Sequence, residues 1–433
     1  LKTAFRSSGT GVRIPLPPLY LVMYQQYTRG NKIFVPLFVP VHVRGDEIEG
    51  RASVSRMRKG LPFVGGFVLL LSIPSASIGQ IIENPIKLRA VNPGRVVAPE
   101  EVLTITDEGT SDFYFKWPYS LRTGPDGSLV FRDREQILHF DEGGKFLHNL
   151  FKKGQGPGEM QYPGDCLFVG DRVVVYSGNE NKLVFFDRNG KYEKELSVPS
   201  QDNSLILLNH LPGVFYFKAT EFPRTSGDPK IVETPQTIVA LGESDGALRN
   251  LSSFAAKVYV VTSGGGGGTI TIASLIAAPF KNNLLVLTHT EEYLIKLYDL
   301  AADRVLREFR RAYDRVKSEP LTDEQKKGYI NINGKYYYPP ERKYQNDIKN
   351  VLTRDDLIWV VTSTKDKAKG VLLDIFDENG IYRDWFWLKL PEPALASILM
   401  PGRCALDGDS LWVVEQTVDE TFLVKNYRVP RTL

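Results

Sequence analysis

The sequence predicts an all-β chain in which six four-stranded antiparallel sheets stack around a common axis, and three observations predict it. The first is the stretch from Gly154 to Tyr192, where a Gly/Pro loop precedes three short runs of β-branched and aromatic residues. Turn residues at Gly170-Asp171, Ser177 to Asn181 and Asp187 to Gly190 separate these runs at the spacing of a small antiparallel sheet. The second is recurrence. A turn of Asp, Asn or Gly that runs straight into an apolar strand occurs at Gly127, Asp171, Gly213, Asn283, Asp356 and Asp409, with gaps of 44, 42, 70, 73 and 53 residues. One such sheet cannot bury both its faces, so neighbouring repeats must supply each other's core. The third is the phase of the two cysteines: Pro163-Gly164-Asp165-Cys166 aligns with Pro401-Gly402-Arg403-Cys404. Both thiols then occupy one position on the innermost strands of the second and sixth units, beyond the roughly 7 Å that a disulfide spans.

Taken in order, residues 1–56 show no sustained helical or strand period and read as disordered or as upstream translation. Met57-Arg58-Lys59, the apolar run from Leu61 to Ile73 and the small residues Ser75 to Ser77 and Gly79 make the three regions of a secretory signal peptide. The run falls short of the roughly 20 apolar residues of a membrane span. The expected organisation is therefore a signal peptide at 57–79 and one mature domain at 80–433, exported to the periplasm or beyond, with no transmembrane segment. The whole chain of 433 residues carries a formal charge of +3, but residues 1–79 hold 10 Lys+Arg against 3 Asp+Glu. The remainder has 44 basic and 48 acidic residues, a net charge near −4 with no basic block, which excludes a nucleic-acid partner.

Within the domain, a second pattern follows the first: an apolar strand ending in an aromatic, then a polar turn. It begins at Ile137, Leu183, Ile295 and Leu372, and three of the four carry Asp-x-x-Gly at Asp141, Asp187 and Asp377. Asp bonds its own backbone in such turns and Gly accepts positive φ, so these aspartates are read as structural. The longer gaps hold insertions near 262–269 and 313–350. Gly264 to Gly268 reads as a mobile loop before a strand. Residues 313–350 are polar, with a short helix at Thr322 to Lys327 and a Tyr336-Tyr337-Tyr338-Pro339-Pro340 cluster suited to a contact surface or to packing over a sheet edge. The sixth unit lacks sequence for a fourth strand after Phe422 to Val429, and Glu101 to Thr106 is expected to supply it.

Gly154-x-Gly156-x-Gly158, Pro163, Asn179-x-x-Lys182 and Phe186-Asp187-x-x-Gly190 resemble the NHL-type repeat of six-bladed β-propellers, and most of all the exported bacterial proteins of that kind. The resemblance covers about 112–429, with its motifs clearest in the second unit. It implies a six-bladed β-propeller of four-stranded antiparallel blades, closed by an N-terminal strand and monomeric.

Chemistry is sparsely marked. The five histidines show no metal-ligand spacing, and there is no G-x-S-x-G, Cys-His motif or calcium loop, so no cofactor, metal or catalytic residue is expected. His139, in Ile137-Leu138-His139-Phe140, reads as structural or as a surface residue. A ligand site would lie at one channel mouth, on the loops between second and third strands and between units. The former hold Arg132, Asp133, Asn179, Lys182, Lys218, Glu221, His289, Glu291, Lys365 and Glu415; Gln155, Glu159 and Tyr162 lie in an inter-unit loop. This ring of mixed sign suits a protein, peptide or glycan. The expected function is a non-enzymatic binding protein or interaction scaffold, with a propeller hydrolase or lyase holding a channel metal as the alternative.

Overall fold

The computed structural model describes residues 81–85 and 94–430 apart from 202, 222, 224–227, 264–265, 282, 290, 324–325, 327–329 and 333, together with the backbone of 19–28, 31–40, 43–44 and 47–48. The signal-peptide assignment at 57–79 lies outside these residues. Residues 1–78 form a unit of their own. In it β1 (Leu19–Thr28) pairs with β2 (Asn31–Pro40), and β3 (Val43–Arg44) with β4 (Glu47–Ile48), all antiparallel. The sequence shows no strand period there because runs such as Ile33-Phe34-Val35 are continuous instead of alternating.

The second unit, 79–433, is all-β. It opens with three short strands, β5 (Ile82–Asn84), β6 (Val96–Val97) and β7 (Glu100–Ile105). The first sheet holds β8 (Pro118–Thr123), β9 (Leu129–Asp133), β10 (Ile137–Phe140) and β11 (Phe146–Asn149). The second holds β12 (Cys166–Val169), β13 (Arg172–Ser177), β14 (Lys182–Phe186) and β15 (Tyr192–Ser197). In the third, β16 (Ser204–Leu211) and β17 (Val214–Thr220) are followed by the long β18 (Lys230–Gly242) and β19 (Leu248–Ser263), and by β20 (Gly266–Ala273). The fourth comprises β21 (Leu275–Phe280), β22 (Leu284–His289), β23 (Leu294–Asp299) and β24 (Arg304–Arg311). After the hairpin of β25 (Ile330–Ile332) and β26 (Lys335–Tyr337), the fifth comprises β27 (Ile348–Arg354), β28 (Leu357–Asp366), β29 (Gly370–Asp377) and β30 (Tyr382–Leu388). Helix α1 (Glu392–Ile398) precedes the sixth sheet, β31 (Cys404–Asp407), β32 (Ser410–Gln416) and β33 (Phe422–Arg428). No described helix is long and apolar enough to cross a membrane.

The six recurrent strand starts of the sequence open β9, β13, β17, β22, β28 and β32, the second strand of every sheet. The first strands touch in cyclic order: β8 meets β12, then β16, β21, β27 and β31 follow, and β31 meets β8. Alternation along each strand sends side chains to both flanks. Val173 and Val175 pack toward the first sheet, whereas Val174 and Tyr176 pack toward the third. A separate apolar cluster fills each of the six junctions between neighbouring sheets, including the one between the sixth and the first. Cys166 and Cys404 sit buried at the starts of β12 and β31, opposite Val175 and Val413, which is the equivalence their sequence context predicts.

Two expectations change. Not every sheet has four strands: β20 adds a fifth to the third, and the N-terminal segment adds β5 in parallel to β24 and β6 in parallel to β30 before β7 joins β33 antiparallel in the sixth sheet. Asn84 ties this segment down, donating to the Arg310 and Gly380 carbonyls and accepting from the Tyr382 amide, at 3.1, 2.9 and 3.0 Å. The glycine run is not simply a loop: Gly266, Gly267 and Gly268 pair with Ser263, Thr262 and Val261 in the β19–β20 hairpin. A Cβ on Gly268 would stand 2.9 Å from Ile330, so the glycine admits the β25–β26 hairpin, and the two insertions share a small cluster with Tyr259, Val261 and Ile272.

His139 resolves as structural. It is 4% exposed on β10, faces the Phe168 ring, and neither ring nitrogen has a hydrogen-bond partner. Burial lowers its pKa, the neighbouring His148 adds to that, and Asp126 opposes it. The unfolded chain therefore takes up a proton near pH 6.5 that the folded chain refuses, and stability falls as pH drops below that value. His139→Leu removes the orphaned donor and acceptor, and is expected to raise stability by about 1–2 kcal/mol at neutral pH and more at acid pH. Urea midpoints near pH 7 and pH 5 check this, and a lowered midpoint at both would sink it.

Candidate functional site

The first strands surround a cavity of about 450 Å³. Each contributes: Tyr119 from β8, Asp165 just before β12, Ile206 from β16, Ile276 from β21, Lys349 from β27, and the Pro401-Gly402 turn leading into β31. Its shape depends on the two aligned Pro-Gly turns. A Cβ on Gly164 would lie 2.1 Å from the Tyr176 carbonyl oxygen, and one on Gly402, whose φ is +86°, would meet the Tyr119 ring at 2.7 Å. Only glycine lets these turns approach so closely. Between Tyr119 and Arg122 the β8 register breaks, and the buried Ser120 takes a φ of +60°, a left-handed conformation that a non-glycine residue rarely adopts.

The charged part of the lining is predominantly cationic. Arg122, Lys218 and Lys349 face the cavity with Asp165 as its one carboxylate among the described lining residues. Lys218 donates to the Leu275 carbonyl at 3.0 Å. Burial pushes its pKa down to about 8, opposed by the charge of Asp165. Lys349 also falls to about 8, through burial first and then repulsion from Arg342 and Lys365, with Asp347 opposing. The Tyr119 phenol is raised by burial and by Asp165.

Beside the cavity lies a cleft of about 290 Å³ bounded by Trp117, Arg132, Arg134 and Tyr162. Arg132 lies over the Tyr119 ring at 5.6 Å, so the cleft and the cavity share a wall. Trp117 is 46% exposed and Tyr162 44%. The indole is nonetheless held: the Arg403 guanidinium lies 4.0 Å from its centroid, Phe422 meets it edge-on, and its backbone amide donates to Asp133 at 2.6 Å. A fixed, half-exposed indole beside guanidinium groups can stack on a sugar or peptide face and hydrogen-bond its polar edges.

Of the sequence-predicted residues, Arg132 and Tyr162 meet in the cleft and Lys218 lines the cavity. Lys365 is exposed and near enough to Lys349 to act on its charge. Gln155, Asn179 and Glu221 are exposed and His289 is half-buried. The others are engaged within the fold. Asp133 is fully buried and accepts from the Lys116 and Trp117 amides, Glu159 pairs with Lys152 at 2.7 Å, and Lys182 pairs with Glu195 at 3.0 Å. Glu291 pairs with Lys257 at 2.6 Å, and Glu415 is buried, bound by the Tyr427 hydroxyl and Lys425. Loop phase alone missed Trp117, Tyr119, Arg122, Asp165 and Lys349. The Pro163-Gly164-Asp165 alignment was the signal that could have found Asp165.

No family model and no curated relative matches the chain. Among solved structures it is similar to an exported protein from Bacteroides fragilis, at 12% identity and a TM-score of 0.48, covering 81% of this chain and 100% of that one. It is also similar to a DUF4221 family member from Bacteroides vulgatus, at 9% identity and TM-score 0.46, covering 77% and 98%. A β-propeller domain from Myceliophteria thermophila matches at 10% identity and TM-score 0.33, covering 72% and 97%.

Proposed function

We propose that the six sheets are the blades of an NHL-like β-propeller, its ring closed by β7, and that the chain is an exported, non-enzymatic binding protein. It takes a peptide or glycan, free or on a protein, across the cleft and the cavity mouth. The cyclic contacts of the first strands and the six junction clusters support the ring. The observation that carries the binding reading is the Trp117–Tyr162 cleft: two large aromatic side chains stand half in solvent and line one cleft with Arg132 and Arg134. Glycan and peptide arrays probed with the protein and with the Trp117→Ala, Tyr162→Ala double variant test it. The double variant is expected to lose about tenfold or more of the array signal at unchanged circular dichroism. Silent arrays, or signals the variant leaves intact, would count against the reading.

A metal-dependent hydrolase or lyase would require acidic and amide donors from several sheets to converge. Among the described residues, no three His, Cys, Asp or Glu side chains gather closely enough to hold a metal ion. Stoichiometric metal in the purified protein would favour the metal-dependent enzyme over the binding protein.

A further inference from the structure

We infer that the central cavity receives an anionic group, a carboxylate or phosphate, of the ligand that binds at its mouth; the inference rests on the binding reading and names the chemistry of its deepest contact. Three cationic side chains, Arg122, Lys218 and Lys349, line the cavity against the single carboxylate of Asp165. None of these four forms an ion pair with another described residue, whereas most charged side chains that are partly buried elsewhere in the molecule do so.

The imbalance sits where water is scarce. Asp165 is only 8% exposed, and its carboxylate accepts no hydrogen bond from a described residue. The Nε of Arg122 is buried and likewise without a partner. Buried charge is ordinarily paired, and polar groups left open in a cavity point to what enters it. An anion between the cations supplies the missing counter-charge, and Asp165 is left to accept a hydroxyl or ammonium hydrogen from the same ligand. The volume of about 450 Å³ exceeds a single ion and fits a monosaccharide or an amino-acid-sized group. Both lysines are pushed toward neutrality by burial, which an incoming anion reverses.

Isothermal titration of the full chain with sodium glucuronate, sodium phosphate and glucose tests the inference. Glucuronate or phosphate is expected to bind and glucose not; which of the two binds more tightly assigns the group as carboxylate or phosphate. Lys218→Met and Lys349→Met are each expected to weaken binding about tenfold or more, and Lys218→Arg to retain it. Melting curves of the same proteins confirm that they fold. Binding is also expected to weaken on going from about pH 7 to about pH 9.5 as Lys218, facing Asp165, and Lys349, facing Arg342, Lys365 and Asp347, lose their protons. The inference is overturned if neither anion binds at millimolar concentration, if both methionine variants bind as the parent does, or if glucose binds equally well. Loss of anion binding with Trp117-dependent array signals intact would remove the inference and leave the binding reading standing.

Discussion

A variant lacking residues 81–106 is expected to lose its cooperative thermal transition and to aggregate. These residues carry β5, β6 and β7, which lie along the edges of the fourth, fifth and sixth sheets. Without β7 the row of amide and carbonyl groups along β33 faces solvent, an open template for pairing with other molecules. The loss is also one of core: Ile105 is buried with Phe113, Phe115, Phe422 and Val424 at the junction of the sixth and first sheets. The Lys425–Glu101 and Arg428–Glu100 pairs, at 2.9 and 3.4 Å, are exposed on the Glu side and add little. A graded control is Asn84→Ala, which deprives two carbonyls and one amide of their partner and should cost about 1–3 kcal/mol. Size-exclusion chromatography and calorimetry decide the case. A monomeric truncated protein melting within a few degrees of the parent would refute it.

The second large effect lies between the fourth and fifth sheets. Arg311, the last residue of β24, reaches the fully buried Asp374 of β29, with Nε and Nη2 at 2.8 and 2.7 Å from Oδ2. The hydroxyls of Tyr293 and Tyr382 donate to the same carboxylate, and the guanidinium lies 5.0, 5.1 and 5.5 Å from the rings of Tyr293, Tyr313 and Tyr382. Each carboxylate oxygen is thus satisfied, which is the condition under which a buried ion pair holds. Arg311→Met keeps the volume and removes the charge, stranding Asp374, and is expected to destabilise the fold by about 3–5 kcal/mol. Adding Asp374→Leu should recover part of that loss, so the two substitutions will not be additive. Guanidinium denaturation of the single and double variants measures both. A loss below about 1 kcal/mol for Arg311→Met would show that the carboxylate finds other partners.

How far these features were legible follows from their range in sequence. The turns were read directly: Asp141, Asp187 and Asp377 each accept two backbone amides through Oδ1, and Gly144, Gly190 and Gly380 each take positive φ, as the Asp-x-x-Gly spacing requires. The second strands and the cysteine phase were equally local. β5 and β6 were not, since two or three residues carry no period and their partners lie hundreds of positions away. The Arg311–Asp374 pair was hidden for the same reason. For the site, repeat phase pointed to Arg132, which lies near the end of β9, and to Tyr162, both of which line the cleft, but could not say which way a side chain turns. Asp133 and Glu415 end or nearly end their strands and point inward, whereas Arg122, Asp165 and Lys349 stand on or beside first strands, outside the loops that repeat phase picked out, with Lys349 inside the stretch read as a polar insertion.

The placement of the N-terminal segment also sets a timetable. Glu101 and its partner Lys425 are 324 positions apart, and Asn84 and Arg310 are 226 apart. At a ribosomal rate of about 5–20 residues per second, β7 waits roughly 15–65 s for its partner strand to be made. The earliest-synthesised strands of this unit therefore wait for partners made much later: β5 and β6 can pair once β24 and β30 are made, and the sixth sheet keeps an uncovered edge until β33 is made. Closing the sixth sheet joins segments 324 positions apart, a long-range pairing of the kind that slows folding.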